Sequence, residues 1–196
     1  MAYILTGLLC NGKTTMLRPL GDLIQNKINK KVVTIEEFIP TVLDSISKFE
    51  IDFKTFKERQ SIFFAVAKIR QKIINQTENT NKNIIYLCDR GILDVVAYSL
   101  LEGENILNMN HIQNEIGNDC YYFIKLPKDN KIIEKCMRKK ERNRTVGHWE
   151  NLRKREEKFK NLIQKYYPAL KTYEHPADDP ETMYKIAETI IKNERS

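Results

Sequence analysis

The stretch Gly7-Leu8-Leu9-Cys10-Asn11-Gly12-Lys13-Thr14-Thr15 predicts the fold of this 196-residue chain. It matches G-x-x-x-x-G-K-[ST], a pattern in which backbone N–H groups enclose phosphate groups. Gly7 and Gly12 allow backbone angles that a Cβ would forbid, and a helix beginning at Gly12 would direct its positive dipole end at the same anion. The predicted phosphate-binding residues are Gly7, Asn11, Gly12, Lys13, Thr14 and Thr15.

The residues around this loop have the order strand, loop, helix that such a loop requires. Residues 1–6 form a short apolar run, and an amphipathic stretch follows the loop. Pro19 lies about two turns into this helix, where its missing N–H predicts a kink or an early end. Lys13 is expected to contact the β- and γ-phosphates and the Thr14 hydroxyl to bind Mg²⁺. The sequence therefore predicts a site for a nucleoside triphosphate.

Apolar runs alternate with helical patterns along the rest of the chain. The runs are Ala2–Thr6, Val32–Ile35, Ile84–Cys88, Cys120–Leu126 and Lys171–Glu174. This alternation predicts an α/β fold of three layers, with a five-stranded parallel sheet covered by helices on both faces. No linker interrupts the sequence, so we expect a single domain over residues 1–196.

Charged residues follow the second and third runs, where ligands bind in such sheets. Glu36 and Glu37 follow the second run, and either carboxylate would serve as a base for a substrate hydroxyl, support Mg²⁺, or cap the next helix. Asp89 directly follows the third run, as a carboxylate that holds Mg²⁺ or its water does. Arg90 beside it offers a planar donor fork suited to phosphate. Thr14 and Asp89 are the predicted metal-site residues.

Apolar residues at helical spacing predict a helix over residues 53–74. Gln60 lies on its apolar stripe near Phe64, where an amide would read the edge of a base or remain a hydrogen-bonded core amide. Lys68 and Arg70, near the end of this helix, are placed to reach a substrate phosphate. The helix therefore contributes the predicted acceptor-binding residues.

The segment from Arg138 to Arg155 is dense in charge. Such a run is often a solvated helix face, but its position after the fourth strand and its helix favours a mobile lid over about residues 138–150 that brings arginines to transferring phosphates. The arginines assigned to this lid are Arg138, Arg142 and Arg144.

The bulk composition restricts the partners and the compartment. The net charge of +7 fits an anionic substrate or a nucleic acid, but no basic patch interleaved with aromatic residues favours the latter. No run reaches the roughly 18–20 apolar residues of a membrane span, and no signal segment opens the chain. The four cysteines are widely spaced and predict neither a zinc site nor a disulfide framework. A cytoplasmic protein without a membrane partner is expected.

With the phosphate loop, the Asp89-Arg90 pair and the arginine-rich segment in this order, the chain resembles the P-loop nucleoside and nucleotide kinases. Thymidylate kinases and deoxynucleoside kinases look closest, together with the kinase-like ATPase domains of nicotinamide riboside kinases. Residues 89–98 look like the Asp-Arg segment of that group, and 64–68 are similar to the substrate-side helix of thymidylate kinases. Gly91 stands where thymidylate kinases have Tyr, and Phe38 stands where deoxynucleoside kinases have Pro.

The resemblance implies transfer of the γ-phosphoryl group from Mg·ATP to a nucleotide or nucleoside, most like a nucleoside monophosphate kinase of thymidylate kinase type, often as a homodimer. Glu37 would orient or deprotonate the acceptor and Arg90 would hold it. The implied catalytic residues are Lys13, Glu37, Asp89, Arg90, Arg138, Arg142 and Arg144. A P-loop ATPase or switch acting on a partner protein, and a nucleic-acid end kinase, are the alternatives. The sequence leaves open the acceptor and the choice between Glu36 and Glu37.

Overall fold

The computed structural model describes residues 2–8, 11–49, 52, 55–103, 116, 119–139, 148–173 and 180–195. The strands are β1 Ala2–Thr6, β2 Lys31–Ile35, β3 Ile84–Asp89, β4 Cys120–Ile124 and β5 Lys171–Tyr173. The main helices are α1 Lys13–Gln25, α2 Ile39–Lys48, α3 Phe56–Thr80, α4 Ile92–Leu101, α5 Asn130–Lys139, α6 His148–Tyr166 and α7 Pro180–Arg195. Within these ranges, every helix is too short or too polar to cross a membrane.

All strands pair in parallel, in the order β2-β3-β1-β4-β5. The chain leaves β1 toward β2 at one edge and leaves β3 toward β4 on the other side. Because such crossovers are right-handed, these opposite directions place α1 on one face and α4 on the other. The carboxyl ends of β1 and β3 therefore border the crevice in which ligands bind in open sheets of this kind.

Strand β1 is the centre of the core, and every one of its residues is buried. Ala2 and Ile4 pack in the cluster formed with α3, α4 and α6, whereas Tyr3 and Leu5 pack in the cluster formed with α1 and α7. This alternation explains why β1 reads as a continuous apolar run, since both faces of the sheet are covered. The predicted three-layer α/β fold is confirmed.

Helix α1 continues through Pro19 to Gln25, so the expected early end at the proline is wrong. Pro19 is exposed, and the helix buries its opposite face against the sheet. A Cβ on Gly21 would lie 2.7 Å from Thr34 Cγ2, so the glycine lets α1 approach β2 closely. Packing of the apolar face outweighs the hydrogen bond lost at Pro19. The buried apolar residues of this face are Met16, Leu17, Leu20 and Ile24.

Helix α3 is longer than the predicted segment 53–74, of which Phe53 lies outside the described residues. It begins after Thr55, whose hydroxyl accepts a hydrogen bond from the Glu58 backbone N–H at 3.2 Å. It ends at Thr80, beyond the last apolar residue of the stripe. The added residues 75–80 are polar and half-buried or exposed, and the Thr77 hydroxyl donates to the Ile73 carbonyl at 2.8 Å. Apolar periodicity does not detect such a turn.

Helix α7 is fastened to the first strand and to the loop that precedes β2. The Tyr3 hydroxyl donates to Glu194 Oε1 at 2.5 Å, across 191 residues of sequence. Lys30 Nζ pairs with Glu194 Oε2 at 2.6 Å. The last helix therefore completes the layer that supports β1 and α1.

We expect Pro19→Ala to raise the free energy of unfolding by about 2 kcal/mol, because alanine supplies the missing N–H and removes the ring clash, less a small gain in unfolded-chain entropy. Urea denaturation measures the change, and Asp22→Ala, at an exposed position of the same helix, is the control. A variant no more stable than the original chain would contradict the prediction and mean that α1 accommodates Pro19 without a net cost.

Candidate active site

The phosphate loop between β1 and α1 is shaped by two glycines and one asparagine. Gly7 and Gly12 have φ of 137° and 82°, in the region that favours glycine. A Cβ on Gly7 would lie 2.2 Å from Asn11 Nδ2 and 2.5 Å from the Ile124 oxygen. The buried Asn11 amide uses that space to donate to the Ile124 carbonyl at 2.8 Å. The loop is thus attached to the end of β4 as well as to β1.

Lys13 places its ammonium inside this loop. Nζ donates to the backbone oxygens of Gly7 and Leu8 at 2.9 and 2.8 Å and to Asn11 Oδ1 at 2.8 Å. Burial, together with the nearby positive charge of Arg90, lowers the pKa of Lys13 to about 8. The side chain is only 4% exposed. A positive charge held among carbonyl groups at a helix N-terminus is suited to a phosphate anion.

Thr14 and Asp89 meet at the carboxyl ends of β1 and β3. The Thr14 hydroxyl donates to Asp89 Oδ2 at 2.5 Å, and Asp89 is fully buried. The second carboxylate oxygen, Oδ1, has no hydrogen-bond partner among the residues that the structure describes. A buried oxygen of this kind beside a hydroxyl fits Mg²⁺, which takes oxygen ligands and needs only one or two carboxylates besides phosphate and water. The two residues predicted for the metal are therefore in contact.

Arg90 turns away from the strand into the crevice. Its φ is 63°, and its backbone N–H donates to the Leu5 carbonyl at 2.9 Å. Nε forms an ion pair with Glu37 Oε1 at 2.8 Å, with side-chain exposures of 4% and 18%. The guanidinium lies over the Tyr98 ring, 5.0 Å from its centre. The Glu37 carboxylate, the Arg90 guanidinium and the Tyr98 ring thus border the crevice beside the residues predicted for the metal.

The two neighbouring glutamates have different surroundings. Glu36 pairs with Arg18 at 2.7 Å on the surface, where its side chain is 55% exposed. Glu37 is directed at Arg90 and is largely buried. Of the two carboxylates that the sequence left open, Glu37 is the one that lies in the crevice.

The acceptor-side residues predicted on α3 lie at different depths. Gln60 is buried and accepts a hydrogen bond from the Ser99 hydroxyl of α4 at 3.4 Å. Phe64 is half-buried against the core, and Lys68 is also half-buried. Arg70 donates to the backbone oxygens of Asp89 and Arg90. The guanidinium of Arg70 is therefore engaged by the protein itself, whereas Gln60 joins the two helices that flank the crevice.

The sequence profile of the AAA domain family matches residues 2–168, from the first strand through α6. The chain belongs to the AAA domain family. No curated protein matches the chain. The match covers the phosphate loop, Asp89 and Arg90, and it agrees with the predicted P-loop group.

The structure of this AAA domain is similar to that of deoxyadenosine kinase from M. mycoides, which was solved with the products dCMP and a flexible dCDP bound. The TM-score is 0.57 at 19% sequence identity, and the match covers 98% of this chain and 100% of the other. The sheet and its helices thus follow a kinase fold over nearly their whole length. The resemblance to P-loop nucleoside and nucleotide kinases that the sequence predicted is confirmed.

The packing around Gly91 explains why this AAA domain has glycine where the thymidylate kinase pattern has tyrosine. A Cβ at this position would lie 2.8 Å from the Tyr121 hydroxyl oxygen and 3.0 Å from Ile4 Cγ2. Tyr121 on β4 is fully buried and occupies the space that a side chain at position 91 would need. The departure therefore has a packing cause.

Asp94 is a buried acid of the site that the sequence reasoning missed. Its Oδ1 accepts from the Thr6 hydroxyl at 2.7 Å and its Oδ2 from the Gly91 N–H at 2.8 Å. Burial raises the pKa of this carboxyl. It joins the end of β1 to the start of α4. An acid three residues after a helix N-cap is a capping signal that could have identified it.

The predicted lid falls largely outside the described residues. Arg142 and Arg144 lie there, and so does the Arg138 side chain, although Arg138 belongs to α5. Arg153 of the same charged segment donates to the carbonyls of Pro127 and Lys128 and to Asn130 Oδ1, at 2.8 to 2.9 Å. This arginine fixes the connection after β4, and the lid itself stays a prediction.

We expect Gly91→Ala to destabilise the chain by about 1 to 3 kcal/mol, because the methyl group has no space beside Tyr121. Urea denaturation of Gly91→Ala, Tyr121→Phe and the double variant tests the cause. Removing the nearest atom, the Tyr121 hydroxyl oxygen, should make the double variant more stable than the sum of the single changes predicts. Strict additivity would contradict this explanation.

We expect ATP affinity to fall by up to about fivefold between pH 8 and pH 9, because only the protonated Lys13 attracts phosphate and its pKa in the free protein is about 8. Phosphate would raise that pKa, so binding near pH 8.5 should take up a proton. Isothermal titration calorimetry in two buffers of different ionisation enthalpy measures this uptake. Lys13→Met should bind weakly without that uptake, and an unchanged uptake in this variant would assign the proton to another group.

Proposed function

We propose that this AAA domain transfers the γ-phosphoryl group of ATP to a hydroxyl of a nucleoside. The observation that carries the proposal is the Glu37–Arg90 ion pair, which lies in the crevice beside the Thr14–Asp89 contact. A carboxylate there can accept the hydroxyl proton, and a guanidinium there can stabilise the charge that develops on the phosphoryl oxygens. The fold shared with a deoxyadenosine kinase supports the same reaction class.

The charges of the crevice support a nucleoside acceptor over a nucleotide acceptor. A nucleotide brings a phosphate that needs free cations, as in the thymidylate kinase type that the sequence suggested. In the described part of the chain, the arginines at the crevice are engaged, since Arg90 is paired with Glu37 and Arg70 with backbone oxygens. A neutral hydroxyl needs a base instead, and Glu37 is that base. We therefore revise the proposed acceptor from a nucleoside monophosphate to a nucleoside.

Each group has a defined part in this reaction. The loop N–H groups and Lys13 bind the triphosphate, aided by Asn11, Gly12 and Thr15. Thr14 and Asp89 would hold Mg²⁺, which would supply positive charge to neutralise the triphosphate. The acceptor oxygen bonds to the γ-phosphorus, the bond to the bridging oxygen breaks, ADP leaves, and Glu37 receives the hydroxyl proton. The arginines proposed to close over the transferring group are Arg138, Arg142 and Arg144.

Gln60 and Phe64 are the proposed base-binding residues. The Gln60 amide is held by the Ser99 hydroxyl, which fixes its orientation. Phe64 lies one turn further along α3, on the side packed against the core. An amide beside an aromatic ring provides hydrogen bonds to a base edge and a stacking surface. Lys68, one further turn along, completes the proposed acceptor wall.

An ATPase acting on a partner protein is the second candidate, and the AAA domain match favours it. It needs the phosphate loop, Thr14 and Asp89 but no base for a small acceptor. ADP release from Mg·ATP with a panel of ribo- and deoxynucleosides and their monophosphates separates the candidates. Strong acceleration by one nucleoside supports the kinase, and slow hydrolysis indifferent to every acceptor supports the ATPase.

We expect Glu37→Gln to lower kcat for the stimulating nucleoside by about 10² to 10⁴, the usual contribution of a general base. Glu36→Gln is the matched control, because Glu36 lies on the surface with Arg18 and should retain full activity. Steady-state kinetics of both variants, with thermal unfolding to confirm the fold, provides the comparison. An equal loss of kcat in the two variants would show that Glu37 is not the general base of the reaction.

A further inference from the structure

Arg70 of α3 contacts the segment that closes β3. One guanidinium nitrogen, Nη2, donates to the Arg90 backbone oxygen, and Nη1 donates to the Asp89 backbone oxygen at 3.5 Å. The guanidinium also lies over the Phe38 ring, 4.9 Å from its centre. Phe38 is the N-cap of α2. A single side chain thus connects α3 with the start of α2 and with the end of β3.

Arg90 has a backbone conformation that requires such support. Its φ of 63° is the only positive value at a residue other than glycine in the described part of the chain. A left-handed backbone is unfavourable for a residue with a long side chain. The two carbonyl groups that Arg70 binds stand on either side of the φ and ψ bonds of Arg90. Holding both groups therefore fixes the conformation between them.

We propose that Arg70 is a positioning residue, which keeps Arg90 left-handed and thereby aims the Arg90 guanidinium and the Asp89 carboxylate into the crevice. The aimed groups meet Glu37 and Thr14 respectively. Arginine suits this task because its planar fork can donate to two acceptors at once, whereas lysine acts as a point charge. The inference rests on the proposed function where it is tested by the kinetics of phosphoryl transfer, but not where it is tested by the binding of ATP.

A substrate-binding role for Arg70 leads to different kinetics. An arginine that binds an acceptor phosphate would, when removed, raise KM for phosphorylated acceptors and leave kcat unchanged. A positioning residue lowers kcat while the acceptor KM changes little, because the reacting groups are misaimed. It also weakens the effect of Mg²⁺ on ATP binding, since Asp89 no longer presents its carboxylate beside Thr14.

The test measures ATP affinity of the full chain by calorimetry, in Mg²⁺ and in EDTA. We expect Arg70→Met to reduce about tenfold the factor by which Mg²⁺ increases ATP affinity. This is the lower end of the loss seen when a residue that orients a metal ligand is removed. Affinity in EDTA should not change. Arg70→Lys should lose nearly as much, because one ammonium does not hold both carbonyl groups. Lys72→Met removes a charge from an exposed position of the same helix and should behave as the original chain.

Phe38→Leu provides a second, milder variant. It keeps Arg70 but removes the ring on which the guanidinium lies, so we expect a smaller loss in the same direction. Thermal unfolding shows whether each variant is folded. If Arg70→Met does not fold, Arg70→Lys and Phe38→Leu decide the question.

Several results would overturn the inference. The first two are an unchanged effect of Mg²⁺ on ATP affinity in the folded Arg70 variants, and an equal loss of that effect in Lys72→Met. The third is a raised acceptor KM at constant kcat in the Arg70 variants. The fourth is an original chain whose ATP affinity does not depend on Mg²⁺. The calorimetry needs no acceptor. A chain that binds Mg·ATP with the expected Arg70 dependence but phosphorylates no nucleoside would refute the proposed function and support the positioning role.

Discussion

The parallel pairing of β1 with β3 is the constraint on which the site depends. Leu5 stands opposite Asp89 in the ladder, and the next N–H, that of Arg90, donates to the Leu5 carbonyl. This register places the acid at the end of β3 level with the start of the phosphate loop, so that Thr14 reaches it. A shift by one residue would turn the Asp89 side chain to the other face of the sheet.

Burial is the second condition. It strengthens the electrostatic interactions of the site, and it makes any unpaired charge there costly in free energy. Lys13, Asp89, Arg90 and Asp94 are each at most 4% exposed. Charges so placed require fixed partners, and the loop carbonyls, Thr14, Glu37 and the Thr6 hydroxyl supply them. The groups are thereby oriented before any ligand arrives, which is the state in which electrostatic stabilisation of a reaction is most effective.

The sequence predicts the parts of this molecule that depend on local rules. Glycines at fixed spacing, apolar runs and an acid after a strand revealed the loop, the sheet and Asp89. Contacts between distant segments decide the rest: Tyr121 of β4 requires Gly91, and the end of β3 engages Arg70. No local pattern reveals that Arg70 faces backbone carbonyls rather than solvent. The prediction that α1 ends early at Pro19 was wrong for the same reason, because packing of the helix against the sheet overrides the local effect of proline.

The attachment of α7 to β1 has a consequence for synthesis on the ribosome. Tyr3 is made 191 residues before Glu194, and their side chains bond to each other. Until α7 leaves the exit tunnel, one face of the central strand lacks its final cover, and the apolar Leu5 and Leu17 beside it stay accessible to water and to other chains. The nascent polypeptide must therefore hold an incomplete core from the synthesis of β1 until that of α7, a situation in which chaperones protect against aggregation.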